Sequence, residues 1–209
     1  GQTYGMPPIL LWTGETNYIS DGVNPDSGNY QVSFEFRVKY TDADGDNPLT
    51  GYPKLHVKKG GAEIIGSPFA MNFISGTSAV GAVYAVSATL SPGSNYAYFF
   101  EAKDVSGANG AGSAINEIAG IVVTSLAPVL SWAGGSGYDS DGVNPKTGDR
   151  SAAFAFKVKY SDPDGDAPFE GQPKLHIKKA GVEITGSPFA MSFVSGAYKT
   201  GAVYGYSTA

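Results

Sequence analysis

The sequence contains no cysteine, which excludes a disulfide-stapled scaffold and any thiolate chemistry, catalytic or zinc-binding. It does not argue against export. Histidine occurs only at His56 and His176, so a triad or an imidazole-based zinc site has almost nothing to draw on. Charged residues make up 16% of the chain, against roughly one quarter in ordinary domains. The formal net charge is -5 and the pI is near 4.9. An acidic chain offers no basic face to neutralise phosphates, so no nucleic-acid partner is expected. Lys58-Lys59 and Lys178-Lys179 read as solvated turns. No apolar run approaches the roughly 18 residues of a membrane-spanning helix, so no membrane span is expected. The N-terminus has no basic and apolar regions of the signal-peptide kind, which reads as a mature protein or a fragment.

What the chain has instead is glycine (29), proline (13), tyrosine (13) and phenylalanine (11), a mixture that favours short strands joined by tight turns. Laid on itself at a shift of 120 residues, Pro8–Thr89 matches Pro128–Ala209 without a gap. Roughly half of the aligned positions are identical, including SDGVNP (20–25 and 140–145), PKLH (53–56 and 173–176) and GSPFAM (66–71 and 186–191). That period is too long for a solenoid unit and suits a whole β-sandwich domain. The expected organisation is the tail of a preceding strand or linker at 1–7, a complete repeat at 8–124, a short linker around Ser125–Ala127, and a second repeat at 128–209. No stretch carries a helical period. Gln31–Tyr40 alternates strictly, with Val32, Phe34, Phe36, Val38 and Tyr40 on one face, and Lys54–Lys58 alternates likewise, as half-buried strands do. Further strands are expected at Ile9–Trp12, Phe69–Ile74, Val83–Leu90, Tyr96–Lys103 and Ile115–Val123.

The segment Leu90-Ser-Pro-Gly-Ser-Asn-Tyr96-Ala-Tyr98-Phe-Phe100-Glu-Ala102 resembles the corner between two strands in fibronectin type III and related immunoglobulin-like domains. There, a tyrosine hydroxyl bonds back to the corner backbone. The resemblance implies an all-β fold of tandem immunoglobulin-like antiparallel sandwiches with Tyr96 as the corner tyrosine. Trp12 and Trp132 fall on the first strand, not the third as in antibody domains, and there is no cysteine pair. The likeness is to tandem repeats of large secreted or surface-anchored microbial proteins.

The strongest chemical candidate is Asp42-Ala-Asp44-Gly-Asp46, repeated as Asp162-Pro-Asp164-Gly-Asp166. Three carboxylates at alternate positions repel one another unless a cation lies among them, and this spacing matches the first three ligand positions of an EF-hand-like calcium loop. Asn47 and Ala167 stand where that loop has its glycine, and Pro53 and Pro173 where it has its glutamate. A calcium ion would therefore borrow oxygens from elsewhere, with Asp21, Asp141 and Asp104 as the lenders. The competing reading is a polar turn in which Asp and Gly serve backbone geometry alone. SDGVNP reads as turn chemistry with Gly22 and Gly142 at positive φ. Glu63 and Glu183 follow glycine turns and read as solvated, while Glu15 and Glu35 become Gly135 and Ala155 in the copy, which removes any paired-carboxylate site common to both repeats. Tyr18, Tyr52 and Tyr138 are the candidates for exposed sugar-stacking rings.

Relative to the first repeat, the second lacks the segment of the corner tyrosine and the last two strands. Two explanations are open: a window from a longer tandem array, or a polymer whose neighbour supplies those strands by β-strand addition. The functional expectation is a non-enzymatic extracellular or cell-surface structural protein, a repeat segment of an adhesin stalk or a subunit of a filament or sheath, with calcium-stiffened loops. Its expected partners are neighbouring repeats or copies of itself. The alternative is an accessory module of a larger secreted enzyme that binds glycan or a host protein.

Overall fold

The computed structural model describes residues 5–208. Residues 1–4 and Ala209, at the ends of the first and last expected segments, lie outside the described residues. The chain divides into two compact units, Gly1–Ser125 and Leu126–Ala209.

In the first unit the strands are β1 (Ile9–Leu11), β2 (Val23–Asn24), β3 (Ser27–Asn29), β4 (Ser33–Thr41), β5 (Lys54–Lys59), β6 (Ala62–Glu63), β7 (Phe69–Ala70), β8 (Asn72–Thr77), β9 (Gly81–Thr89), β10 (Tyr96–Glu101), β11 (Ile118–Ala119) and β12 (Val122–Thr124). One antiparallel sheet runs β1-β4-β9-β8 with β2 also on β4, and the other runs β11-β10-β5-β6 with β7 also on β5. β3 and β12 form a parallel pair. The only helical element among the described residues is the single turn Ser113–Ile115.

The alternation in β4 does what its period requires. Phe34, Phe36, Val38 and Tyr40 are fully buried, and β10 answers across the core with Tyr96, Tyr98 and Phe100. Phe36 meets Tyr98 edge to face at 5.3 Å, the geometry ring quadrupoles favour. The Tyr96 hydroxyl donates to the Ser91 carbonyl at 2.8 Å, the backbone bond expected of this tyrosine. SDGVNP is structural: Gly22 lies at φ +72 with its would-be Cβ 2.6 Å from the Arg37 carbonyl, while its own carbonyl accepts the Arg37 N–H at 2.8 Å. Gly142 repeats this against Lys157.

Two expected strands are broken. Phe69–Ile74 divides at Met71, because β7 pairs with β5 in one sheet and β8 with β9 in the other, so the chain changes sheets there. Ile115–Val123 becomes a helical turn followed by β11 and β12. Trp12 falls one residue beyond β1 and packs on Phe100 at 6.2 Å.

In the second unit the strands are β13 (Val129–Trp132), β14 (Val143–Asn144), β15 (Ala155–Ser161), β16 (Lys174–Leu175), β17 (Lys178–Lys179), β18 (Val182–Glu183), β19 (Phe189–Ala190), β20 (Ser192–Ala197) and β21 (Gly201–Ser207). The sheet β13-β15-β21-β20, with β14 on β15, reproduces the first sheet of the other unit, but opposite it stand only the pairs β16-β19 and β17-β18. Its buried core is correspondingly small: Tyr160, Met191, Ala202 and Tyr204. Trp132, on β13, is 53% exposed, unlike Trp12. Nothing equivalent to Phe100 lies beneath it.

Replacing Tyr96 by Phe removes one buried hydroxyl and leaves the Ser91 carbonyl without that donor. The expected loss is about 1–2 kcal/mol, read as a lower urea midpoint for the full chain with β4 and β10 amides losing exchange protection. An unchanged midpoint would show that the corner bond contributes nothing.

Candidate metal centre

β4 ends at Thr41, and Asp42 organises the loop that follows. One oxygen, Oδ1, accepts the N–H of Asp44 at 2.9 Å and of Asp46 at 3.1 Å. The Asp42 N–H donates to the Ser78 carbonyl at 2.8 Å, and its own carbonyl accepts from Gly45 at 3.0 Å. This is the local turn chemistry that Asp supplies where a strand stops. Asp162 repeats it, with Oδ1 accepting from Asp164, Gly165 and Asp166 at 2.9, 3.0 and 3.1 Å.

The second oxygen of Asp42 is not used by the turn. Asp42 is fully buried, and its Oδ2 has no hydrogen-bond partner. Asp104 is in the same condition. The Asn47–Leu49 stretch is laced to Lys103–Val105 by Leu49 N–H to Lys103 O at 2.8 Å and Val105 N–H to Asn47 O at 3.0 Å, with Pro48 bridged to Asp104. Asp104 Oδ1 accepts from the Ser106 hydroxyl at 2.7 Å and the Ala108 N–H at 2.9 Å, yet the fully buried Oδ2 has no partner. An orphaned buried carboxylate oxygen costs more than a hydrogen bond returns, so these two oxygens are the ones a cation would satisfy. Every donor on offer is an oxygen, the set a hard divalent ion takes.

The electrostatics agree. Asp46 is lifted above the ordinary carboxylate range by burial and then by the charges of Asp42, Asp104 and Asp44. Burial and the charges of Asp42 and Asp104 push the Tyr40 phenol well above its usual value, and its hydroxyl donates to the Asp46 carbonyl at 3.0 Å. Burial pulls Asp104 upward as well, but the donors of Ser106 and Ala108 hold it below the ordinary range. In the second unit, carboxylate oxygens of Asp162, Asp164 and Asp166 lie within 4.8 Å of one another.

Each loop also grips its own chain where it comes into the unit. The Met6 N–H donates to Asp44 Oδ2 at 2.5 Å, and the Leu126 N–H donates to Asp164 Oδ2 at 2.6 Å.

Of the three expected lenders, only Asp104 joins the cluster. Asp21 precedes β2, which pairs with β4 at Phe36, six residues before Asp42 and hence about 20 Å along the strand. Its carbonyl instead accepts the Tyr98 hydroxyl at 2.7 Å. Asp141 pairs with Lys146 at 2.6 Å. None of the three tyrosines is an open stacking platform. Tyr18 is buried beneath the Arg37 guanidinium at 4.8 Å, and the ammonium groups of Lys54 and Lys157 cover the Tyr52 and Tyr138 rings at 4.4 and 4.6 Å.

One network escaped the sequence. His56 stacks on Phe99 at 4.3 Å and lies between Glu63 at 2.9 Å and Glu101 at 3.0 Å. The Ser67 hydroxyl donates to Glu63 and accepts the Val57 N–H at 2.9 Å. Glu63 is therefore engaged, not merely solvated. Its hydrogen bonds from Ser67 and His56 outweigh a desolvation that would raise it and hold it below the usual range. The serine proton goes to a carboxylate and not to the imidazole, so this is a structural clasp and not a nucleophile–base pair. The visible signal was the hairpin that sets Lys58 opposite Glu63, which leaves Glu63 and His56 on one face.

No protein-family model matches the chain, and no curated protein is similar to it.

In cation-free protein, Asp46 should titrate above, and Asp104 below, the ordinary carboxylate range. The stability that Asp46 contributes is then full below its unfolded pKa and lost as pH rises through its folded value. That of Asp104 is present above its unfolded pKa and lost as pH falls through its folded one. Carboxyl NMR titration checks both, and Asp104→Asn should bring Asp46 part of the way down, leaving the share due to burial. An unmoved Asp46 would mean that Asp104's charge does not reach it.

Proposed function

We propose that this chain is a repeat segment of an extracellular structural protein, built of tandem immunoglobulin-like sandwiches whose Asp-rich loops are stiffened by calcium. The observation that carries the reading is the pair of buried carboxylate oxygens on Asp42 and Asp104 without a hydrogen-bond partner. Calcium takes six to eight such oxygens, and extracellular modules bind it at about 10⁻⁴–10⁻³ M, weak enough to need the calcium concentration outside cells. Asp42 and Asp104 Oδ2, the carboxylates of Asp44 and Asp46, and water would make up the set. The strand order supports the sandwich part: β1-β4-β9-β8 against β11-β10-β5 corresponds to the ABED and GFC sheets of an immunoglobulin constant-type domain. The structural role is supported by near-identical loops that each hold the incoming chain, through Met6 and Leu126. A cation there fixes how the polypeptide joins each unit, which is what a load-bearing row of repeats needs. The tyrosines give no support to glycan stacking, because cationic side chains already cover them.

Calcium titration of the chelated full chain tests this. Millimolar calcium should stabilise the first unit by about 1 kcal/mol, and Asp104→Asn should abolish that gain. Without calcium the same variant should be somewhat less stable than the parent near neutral pH, since the Ser106 and Ala108 donors that hold Asp104 below the ordinary range favour its charged form. Absence of any calcium-dependent shift, or a calcium gain that survives in Asp104→Asn, would sink the reading.

A further inference from the structure

At one place the two repeats differ against the general trend. The first unit has the larger buried core, yet its Tyr84 is only half-buried, while the matching Tyr204 is 6% exposed. The cause is a substitution: Ser78 in the turn between β8 and β9 becomes Tyr198 in the turn between β20 and β21. The surrounding frame is the same. The carbonyl of each residue accepts the N–H of its own Asp42 or Asp162 at 2.8 Å, and Phe73 meets Tyr84 edge to face at 5.7 Å as Phe193 meets Tyr204 at 5.8 Å.

Into this frame the second unit inserts a ring of its own. Tyr198 stands edge to face with Tyr160 at 6.2 Å and with Phe193 at 6.3 Å. Burial, and then a hydrogen bond with Tyr198, hold the Tyr204 phenol above its usual value. In the first unit the corresponding place is a hollow of about 410 Å³ walled by Gly45, Asn47, Phe73, Ser78 and Tyr84. Asn47 changes together with Ser78. The Ser78 hydroxyl donates to Asn47 Oδ1 at 2.8 Å, and the counterpart of Asn47 is Ala167, which makes room for the ring.

The next residue in the turn adds a charge. Lys199 stands where the first unit has Ala79, and its Cβ is 3.8 Å from where a Cβ on Gly165 would lie, as that of Ala79 is from Gly45. A lysine there starts beside the loop that carries Asp164 and Asp166. From Ile64 to Phe100 the first unit has no charged residue, so its own turn brings neither ring nor cation to the loop of Asp44 and Asp46. A sugar needs polar side chains to bind, and Ser78 and Asn47 are engaged with each other. A free phenol would bring no charge to the loop and would remain open to water at the rim, where Phe73 is 56% exposed.

We propose that the hollow between the acidic loop and the β8–β9 turn of the first unit is a binding site for a tyrosine side chain of another polypeptide, presented next to a lysine. The ring enters between Ser78 and the Phe73–Tyr84 pair, where edge-to-face contacts favour it, and the ammonium lies against Asp44 and Asp46. The site stands on the hollow and on the filled copy of it, and does not depend on calcium.

The test titrates the full chain, in chelator, with the peptide acetyl-Gly-Tyr-Lys-Gly-amide and follows its NMR signals. Those of Gly45, Gly76 and Ala82 should shift, while those of Gly165, Gly196 and Ala202, beside a hollow already filled, should not. Replacing the peptide's tyrosine by alanine should weaken binding about tenfold, and replacing its lysine by glutamate about threefold. A chain carrying Ser78→Tyr and Asn47→Ala, which copies the second unit, should lose the site. p-Cresol, the bare ring, should bind more weakly than the peptide. Absence of shifts at Gly45 and Ala82, equal shifts in both units, or undiminished binding to the double variant would overturn the site. Equal affinity for p-cresol would overturn the polypeptide occupant, and an unchanged affinity for the glutamate peptide would overturn the role of the cation. Should the double variant not fold, the alanine peptide decides, and its binding as well as the parent peptide overturns the proposal.

Discussion

A β-sheet with one apolar face persists only if something covers that face, and in this protein the covering element is β10. Phe34, Phe36, Val38 and Tyr40 project from β4 at every second residue, and none of them retains solvent exposure once Tyr96, Tyr98 and Phe100 are opposite. Burying side chains of this size yields about 1.5–3 kcal/mol each, an upper estimate because unfolded chains already hide part of their apolar surface. The second unit carries nearly the same residues on β15 and lacks that cover. Its strand begins only at Ala155, the second sheet falls into two short pairs, and four residues form its buried core. The same sequence pattern thus gives two degrees of order, and the difference is tertiary, not local.

The acidic loop is subject to the opposite constraint, since burial there penalises what it hides. Asp42 places its two oxygens under different constraints. Oδ1 is committed to backbone N–H groups, as a pure turn demands, and Oδ2 is buried with nothing to bond. Turn geometry alone explains the first oxygen and leaves the second as an uncompensated cost. Asp104 shows the same division from the other side of the cluster.

How much of this was legible in the sequence depends on the range of the interaction. The β4 alternation is local and could be read directly from residue spacing, while the Tyr96 bond to Ser91, also local, was implied by the resemblance of the Leu90–Ala102 segment to the corner of immunoglobulin-like domains. The sheet change at Met71 could not, because Phe69–Ile74 is apolar enough to read as one strand and only the competing partners β5 and β9 divide it. The Asp42, Asp44 and Asp46 spacing was visible, and Asp104 could be placed among three lenders but not selected. Selection came from Leu49 and Val105 lacing two distant loops together. The clasp of His56 with Glu63 and Glu101 was missed because Glu101 is 45 residues away and spacing carries no information at that distance.

β10 and the residues just after it join these two constraints in one element. The strand that removes apolar surface from water also ends, three residues beyond Glu101, at the aspartate that faces the carboxylate loop. The magnitudes set the order of importance. Covering several large side chains contributes several kcal/mol, whereas a cation bound near its dissociation constant contributes less than about 1 kcal/mol. Apolar cover therefore decides whether a unit is complete, and under the proposed reading a cation acts on a unit that is already closed. Its effect would fall on the loops at Met6 and Leu126, where they hold the chain, more than on the core, so that removing it would loosen those contacts before it unfolded a unit.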